Sequence, residues 1–177
     1  VTTGPQDAPQ VRVVHLSLAT LRALAAGDLA GADATSPVPV PAHAAGPDWR
    51  GVWRRRVHQV SEDPEAAGWV TGLLWDPARS LAVGRAGFHG PPDADGLVEV
   101  GYAVEPAHRR RGYGGAALRH LLDRAAADPR VLRVRASVRP DNEPSLRIVR
   151  RWGFTAVGEQ WDDEDGLETV FEVDARP

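Results

Sequence analysis

The stretch from residue 98 to 116, VEVGYAVEPAHRRRGYGGA, constrains this chain more than any other. Its first residues alternate in character. Val98, Val100, Tyr102 and Val104 point one way; Glu99, Gly101 and Ala103 point the other, which predicts a strand over residues 98–104. Glu105-Pro106 ends it, because proline has no N–H for a ladder. Then follow Arg109, Arg110, Arg111 and Gly112, with Tyr113 before Gly114 and Gly115. A helix over residues 112–127 comes next, with Leu118, Leu121, Leu122 and Ala125 on one face. A strand, a basic glycine-rich turn and a helix together make an anion site. The first amides of a helix have no internal partner, glycine lets a ligand come close, and the helix dipole and the arginines favour negative charge.

The turn is not a Walker loop: GxxxxGK[ST] is absent, and the chain contains no lysine. It fits a dinucleotide-binding turn poorly, since several residues, Pro106 among them, separate the strand from the first glycine. The length of 177 residues suits one domain with a sizeable core. We assign residues 1–10 to a loose tail and residues 11–175 to a single domain. Net charge is −3, which argues against a nucleic-acid binder. No apolar run approaches the roughly 18 residues of a membrane span, and no basic-then-apolar leader pattern opens the sequence. Cysteine is absent, which excludes disulfides and thiolate chemistry and fits a cytoplasmic protein. The six histidines show no metal-ligand spacing, so no metal site is expected.

Taken in order, residues 11–16 alternate as a first strand, and Ser17 can cap a helix to about residue 26. A shorter helix is expected over residues 29–32, and a proline-rich loop over 36–47. Pro47-Asp48 opens an amphipathic helix with Trp49, Val52, Trp53, Val57 and Val60 inward and Arg54, Arg55 and Arg56 on a solvated face. Residues 62–67 read as a loop, 68–75 and 80–89 as two strands, 131–138 as another strand, and 144–152 as a helix. Residues 154–161 and 167–173 close the chain as a hairpin across an acidic turn. The unit spanning 98–138 is βαβ, so its two strands should be parallel, and the meander before it antiparallel. The expected fold class is α/β: a mixed sheet of about six to seven strands with helices on both faces.

The spacing Arg109-x-x-Gly112-x-Gly114 resembles the pyrophosphate signature of the GNAT superfamily of acyl-CoA N-acyltransferases. Asn142, Ser145 and Gly153-Phe154 stand at spacings that look like its second hallmark. GRAGFHG (84–90) and EVGY (99–102) resemble the RimJ/RimL-like branch, and the resemblance covers roughly residues 16–173. It implies a bulged strand at 98–104 splaying from the strand at 131–138, with the pantetheine arm of acetyl-CoA in the cleft, paired to the backbone of Tyr102, Ala103 and Val104. It places the pyrophosphate on the turn, where Arg109, Arg110, Arg111, Gly112, Tyr113, Gly114 and Gly115 would bind it. Asn142 would contact the cofactor, a role compatible with capping the next helix, and Ser145 would lie near the sulfur.

Acyl transfer to an amine needs a group that removes a proton, since an alkylammonium titrates near roughly 10. It also needs a donor for the oxyanion and stabilisation of the departing thiolate. A backbone N–H near Tyr102 or Ala103 would supply the donor. Glu99, on the face opposite Tyr102, is the candidate base, and Ser145 the candidate at the sulfur. The tyrosine that many family members carry seven residues after the asparagine is Val149 here. The expected function is therefore an acetyl-CoA-dependent N-acetyltransferase acting on a small amine or a protein N-terminus. A homodimer stays open, and neither nucleic acid nor membrane is an expected partner. The alternative is an acyl-CoA-binding sensor on the same fold. Trp49, Trp53, Trp69, Trp75 and His89 are candidates to line an acceptor pocket, and residues 162–165 an acidic rim.

Overall fold

Seven strands hydrogen-bond into one sheet in the computed structural model, which describes residues 9–163 and 166–176. In chain order the elements are β1 (Arg12–Val14), α1 (Leu18–Ala26), α2 (Leu29–Thr35), α3 (Pro47–Glu62), β2 (Gly72–Asp76), β3 (Leu81–Phe88), β4 (Leu97–Val104), α4 (Tyr113–Ala127), β5 (Arg133–Val138), α5 (Glu143–Arg151), β6 (Thr155–Asp162) and β7 (Gly166–Asp174). The sheet order is β1-β2-β3-β4-β5-β7-β6. Only β4 and β5 are parallel, as a βαβ connection through α4 requires; every other neighbour is antiparallel. The mixed α/β class read from the sequence is the class observed.

Each face of the sheet carries its own core. On one face α4 and α5 pack Leu118, Leu121, Leu146 and Val149 against Val83, Phe88, Val98, Val100 and Val134. On the other, α1 to α3 pack Leu21, Leu24, Trp49 and Trp53 against Val14, Leu73, Trp75 and Ala82. Local chemistry sets the helix ends. Ser17 Oγ accepts from Thr20 N, and Gly27 takes the left-handed conformation that stops α1. Pro47 opens α3, where its missing N–H costs nothing.

The differences from the sequence reading have local causes. The first strand is short because β1 pairs with β2 at three positions only. Residues 64–68, beyond the Asp63 cap, wind as a 3₁₀ turn within the expected loop, and the strand expected from residue 68 begins at Gly72; residues 42–45 wind likewise inside the proline-rich loop. The expectation for residues 1–8 and for the acidic tip at 164–165 lies outside the described residues. Arg56 is not solvated: it is buried on α3's inward face with Trp49, Trp53 and Val60. Its Nε donates to Thr71 Oγ1 at 3.1 Å and its Nη1 to Gln59 Oε1 at 2.6 Å. Burial, with Arg55 and Arg85 nearby, brings its pKa down to about 10, so it remains charged at neutral pH.

Candidate active site

The site is built on the fact that beyond Glu99 β4 is paired on one side only. Toward β3, the register runs unbroken from Gly84↔Val104 to Phe88↔Val100. No bulge interrupts it, in contrast to the bulged strand that the resemblance implied. Toward β5, pairing covers Leu97↔Arg133, Val98↔Val134 and Glu99↔Arg135, and then stops. The expected splay is therefore present as the end of β4–β5 pairing beyond Glu99 and Arg135.

The antiparallel ladder decides which backbone groups face the gap. His89 N donates to Glu99 O at 2.8 Å and Glu105 N to Val83 O at 3.0 Å. Bonded pairs alternate, so Gly101 and Ala103 also turn their N–H and C=O toward β3. Tyr102 and Val104 turn theirs toward the cleft. The Val104 carbonyl already accepts from Arg109 Nε at 3.0 Å, which ties the basic turn to the strand end. Of the three residues expected to meet a cofactor through their backbone, Tyr102 and Val104 face the cleft, and Ala103 faces Arg85.

The turn after β4 is a short 3₁₀ segment, Pro106–His108, followed by two left-handed residues, Arg110 (φ 59°) and Gly112 (φ 84°). Gly112 caps α4 without a side-chain partner, and the first helical bond is Ala116 N to Gly112 O at 3.0 Å. The amides of Tyr113, Gly114 and Gly115 are thus the helix's unpartnered donors. Arg109, Arg110 and Arg111 are exposed around them. The glycines differ in purpose. A Cβ on Gly114 would lie 3.0 Å from Ile148 Cδ1, so this glycine lets α4 approach α5; a Cβ on Gly115 would meet nothing within 4 Å. A Cβ on Gly112 would lie 3.1 Å from Pro9 Cδ. Tyr113 is an anchor: its buried hydroxyl donates to the buried carboxylate of Asp76 at 2.6 Å, fixing the helix start to the end of β2.

On the α4–α5 face, Asn142 caps α5, its Oδ1 accepting from Ser145 N at 3.3 Å. The Tyr102 hydroxyl lies beside Ser145, and burial raises the phenol's pKa against the opposing effect of that serine. Val149 is fully buried in the core, so position 149 supplies no proton donor.

On the opposite face, a chain of polar side chains crosses the sheet where the β4–β5 ladder ends. Ser137 Oγ donates to Glu99 Oε1 at 2.6 Å. Gln160 Nε2 donates to Ser137 Oγ and to Glu168 Oε2, each at 3.0 Å. Glu99 Oε2 lies 3.8 Å from His89 Nδ1. Ser137, Gln160 and Glu168 escaped the sequence reading because they sit on three strands in no motif. The signal that could have found them is their alternation: Ser137 lies on the polar face of β5, and Gln160 and Glu168 are cross-strand partners. Further along the same face, a cleft of about 400 Å³ is lined by Trp49, Arg85, Ala103, Glu105 and Arg109, with the Arg85 guanidinium 5.0 Å over the Trp49 ring. Trp49, itself buried, thus reaches the cleft from the core, and Trp53, Trp69 and Trp75 are core residues that do not line it. Trp53 Nε1 donates to Ala44 O at 2.7 Å.

The sequence profile of the acetyltransferase (GNAT) domain matches residues 19–155. The chain belongs to the GNAT acetyltransferase family. Among curated proteins, this GNAT chain is 38% identical over 72 residues to the uncharacterised N-acetyltransferase YjdG of Bacillus subtilis, covering 41% of this chain and 43% of YjdG. The chain spans about half the length of the curated relatives it matches. Among solved structures, the fold is shared with RimJ of Mycobacterium smegmatis in complex with CoA-disulfide. That match has a TM-score of 0.62 and 20% identity, over 93% of this chain and 81% of RimJ. It is also shared with a spermidine N-acetyltransferase SpeG chimera from Vibrio cholerae and hSSAT, with a TM-score of 0.65, 11% identity and 96% of each chain covered. Among the described residues no helix is long and apolar enough to cross a membrane, and no group of three or more candidate ligands could hold a metal ion.

Proposed function

We propose that this GNAT domain, residues 11–175 as one unit, transfers the acetyl group of acetyl-CoA to a primary amine by direct attack in a ternary complex. The observation that carries the reading is the one-sided pairing of β4, which leaves the backbone of Tyr102 and Val104 facing a cleft beside an unpartnered, arginine-ringed helix N-terminus. The pantetheine amides pair with Tyr102 and Val104, and Ala103 contributes its side-chain face. The pyrophosphate lies on Tyr113, Gly114 and Gly115 at the α4 amides, with Gly112 giving access and Arg109, Arg110 and Arg111 supplying charge. Asn142 caps α5 and turns the rest of its carboxamide toward the cofactor.

The amine attacks from the face of Glu99. This carboxylate gives the acceptor face its negative charge and attracts the ammonium toward the thioester. The Tyr102 N–H is positioned for the oxyanion. Ser145, with the Tyr102 hydroxyl beside it, stands at the sulfur and steadies the leaving thiolate. A carboxylate lined up with Ser137, Gln160 and Glu168 favours cationic acceptors, which admits both polyamines and protein N-termini. The reading also places the protein in the cytoplasm, in keeping with its lack of cysteine. It further allows self-association through the open outer edge of β6, where Val157 and Trp161 are exposed.

The experiment is calorimetric titration with acetyl-CoA, joined to release of free thiol in the presence of spermidine or a peptide with a free N-terminus. The protein contributes no thiol background. Binding with amine-dependent release is the expected result. Binding without release over the panel would favour the sensor, and absence of binding would overturn the site.

A further inference from the structure

His89 stands where the two halves of the proposed chemistry meet, and its surroundings are unusually specific. Its backbone is fixed on both sides: N–H donates to Glu99 O at 2.8 Å, and its carbonyl accepts from Gln59 Nε2 at 2.6 Å. Gln59 is in turn held by the buried Arg56. The ring is therefore placed by α3 as much as by the sheet. Its Nδ1 faces Glu99 Oε2 at 3.8 Å. Its Nε2 lies over the next outward-facing position of β4, 3.0 Å from where a Cβ on Gly101 would sit. Any side chain at 101 would displace the imidazole. Gly101 adjoins Tyr102, whose N–H faces the cleft.

Glu99 Oε1, by contrast, already accepts from Ser137, and its Oε2 faces the imidazole Nδ1 at 3.8 Å. We propose that His89 Nε2 is the atom that takes the acceptor's proton, and that Glu99 is its positioning residue, holding Nδ1–H toward itself so that Nε2 keeps its lone pair. This inference rests on the acetyltransferase reading above. In the step, one N–H proton of the ammonium passes to Nε2. The freed amine lone pair forms the N–C bond to the thioester carbonyl carbon, and the C–S bond breaks with its electron pair on sulfur. The second proton, lost from nitrogen as the amide forms, neutralises the thiolate. The imidazolium proton leaves to solvent, so the sum is ammonium plus acetyl-CoA giving amide, free CoA and one proton.

The charges around the ring suit that role. Arg55 and Arg56 face it from α3, Glu99 from β4 and Asp162 from β6. Burial, seconded by the two arginines and opposed by the two carboxylates, holds its pKa below the ordinary histidine value, so the ring is neutral at neutral pH. His89 is half exposed, so substitution should leave the fold intact.

The test compares wild type, His89→Gln and Glu99→Gln as full chains, with acetyl-CoA and either spermidine or a hexapeptide bearing a free N-terminus. In His89→Gln, kcat should fall on the order of 100-fold, acetyl-CoA affinity should stay within about twofold, and the acid limb of the pH–rate profile should vanish. In Glu99→Gln the limb should persist but move to lower pH, because the carboxylate that raises the imidazole pKa is gone. The proposal is overturned if His89→Gln keeps turnover within about threefold of wild type, or if the limb survives in His89→Gln and is lost in Glu99→Gln. It is also overturned if wild type binds acetyl-CoA yet releases thiol to neither amine. Failure of wild type to bind acetyl-CoA would instead reject the acetyltransferase reading beneath it.

Discussion

The two edges of β4 are made of the same eight residues and meet opposite fates. Its β3 edge is a continuous antiparallel ladder reaching to Val104; its β5 edge is a three-residue parallel ladder that ends at Glu99. The closed edge holds the strand rigid. The open edge presents backbone with no strand partner, and of its groups the Val104 carbonyl is taken up by Arg109 Nε. Side chains take over where the second ladder stops: Ser137 bridges β5 to Glu99 just beyond the last paired residues. Rigidity on one side is what makes a standing gap on the other tolerable.

That contrast can be broken from the cofactor side with the largest effect. Gly115→Glu places a carboxylate in the first turn of α4, where the added side chain meets nothing. The helix itself should tolerate or welcome it. Calorimetry should nevertheless show acetyl-CoA affinity reduced about 100-fold or more, roughly 3 kcal/mol, with the thermal melt unchanged. A folded variant that binds normally would remove the turn from the site.

The anchoring of the turn gives the next effect. Tyr113→Phe leaves the buried Asp76 carboxylate without its 2.6 Å donor. It should cost about 2 kcal/mol and lower the melting temperature by roughly 4–8 °C. An unchanged melt would mean that the turn is held by other contacts. Ser137→Ala probes the bridge across the splay. It removes the hydroxyl between Glu99 and Gln160, and kcat should drop about 10-fold with acetyl-CoA affinity unchanged, near 1.4 kcal/mol in the barrier alone. A matching loss of affinity would show that the bridge sets the gap itself.

The smallest effect is one of pH on the fold. His15, His43, His89 and His120 all have folded-state pKa values below the ordinary 6.5, chiefly through burial. The unfolded chain then binds more protons, so stability rises with pH in this window. It is fully present above about 6.5 and is lost as pH falls through the lower folded values. Melts between about pH 7.5 and 5.5 should show a decline on acidification. A rise would contradict the burial of these rings.

Part of the local geometry was legible in the sequence. The glycine-rich turn leading into α4 and the Asn142 cap of α5 are local features, written in nearby residues. Arg56 was misassigned to a solvated face because a charged residue at an inward position is decided by what lies opposite it, here Thr71 and Gln59. The bulge expected in β4 is absent, and the gap opens where β4, still paired to β3, and β5, still paired to β7, cease to pair with each other.

By itself the sequence determined which segments could be strand or helix and that the βαβ unit is parallel. Alternation, proline and glycine act within a few residues of themselves. Only the tertiary structure decided that Ala103 faces β3 while Tyr102 and Val104 face the gap. Only it joined His89, Glu99, Ser137, Gln160 and Glu168 into one polar line. Register between strands far apart in the chain is fixed by packing on both faces of the sheet at once, and no single stretch of sequence carries that information.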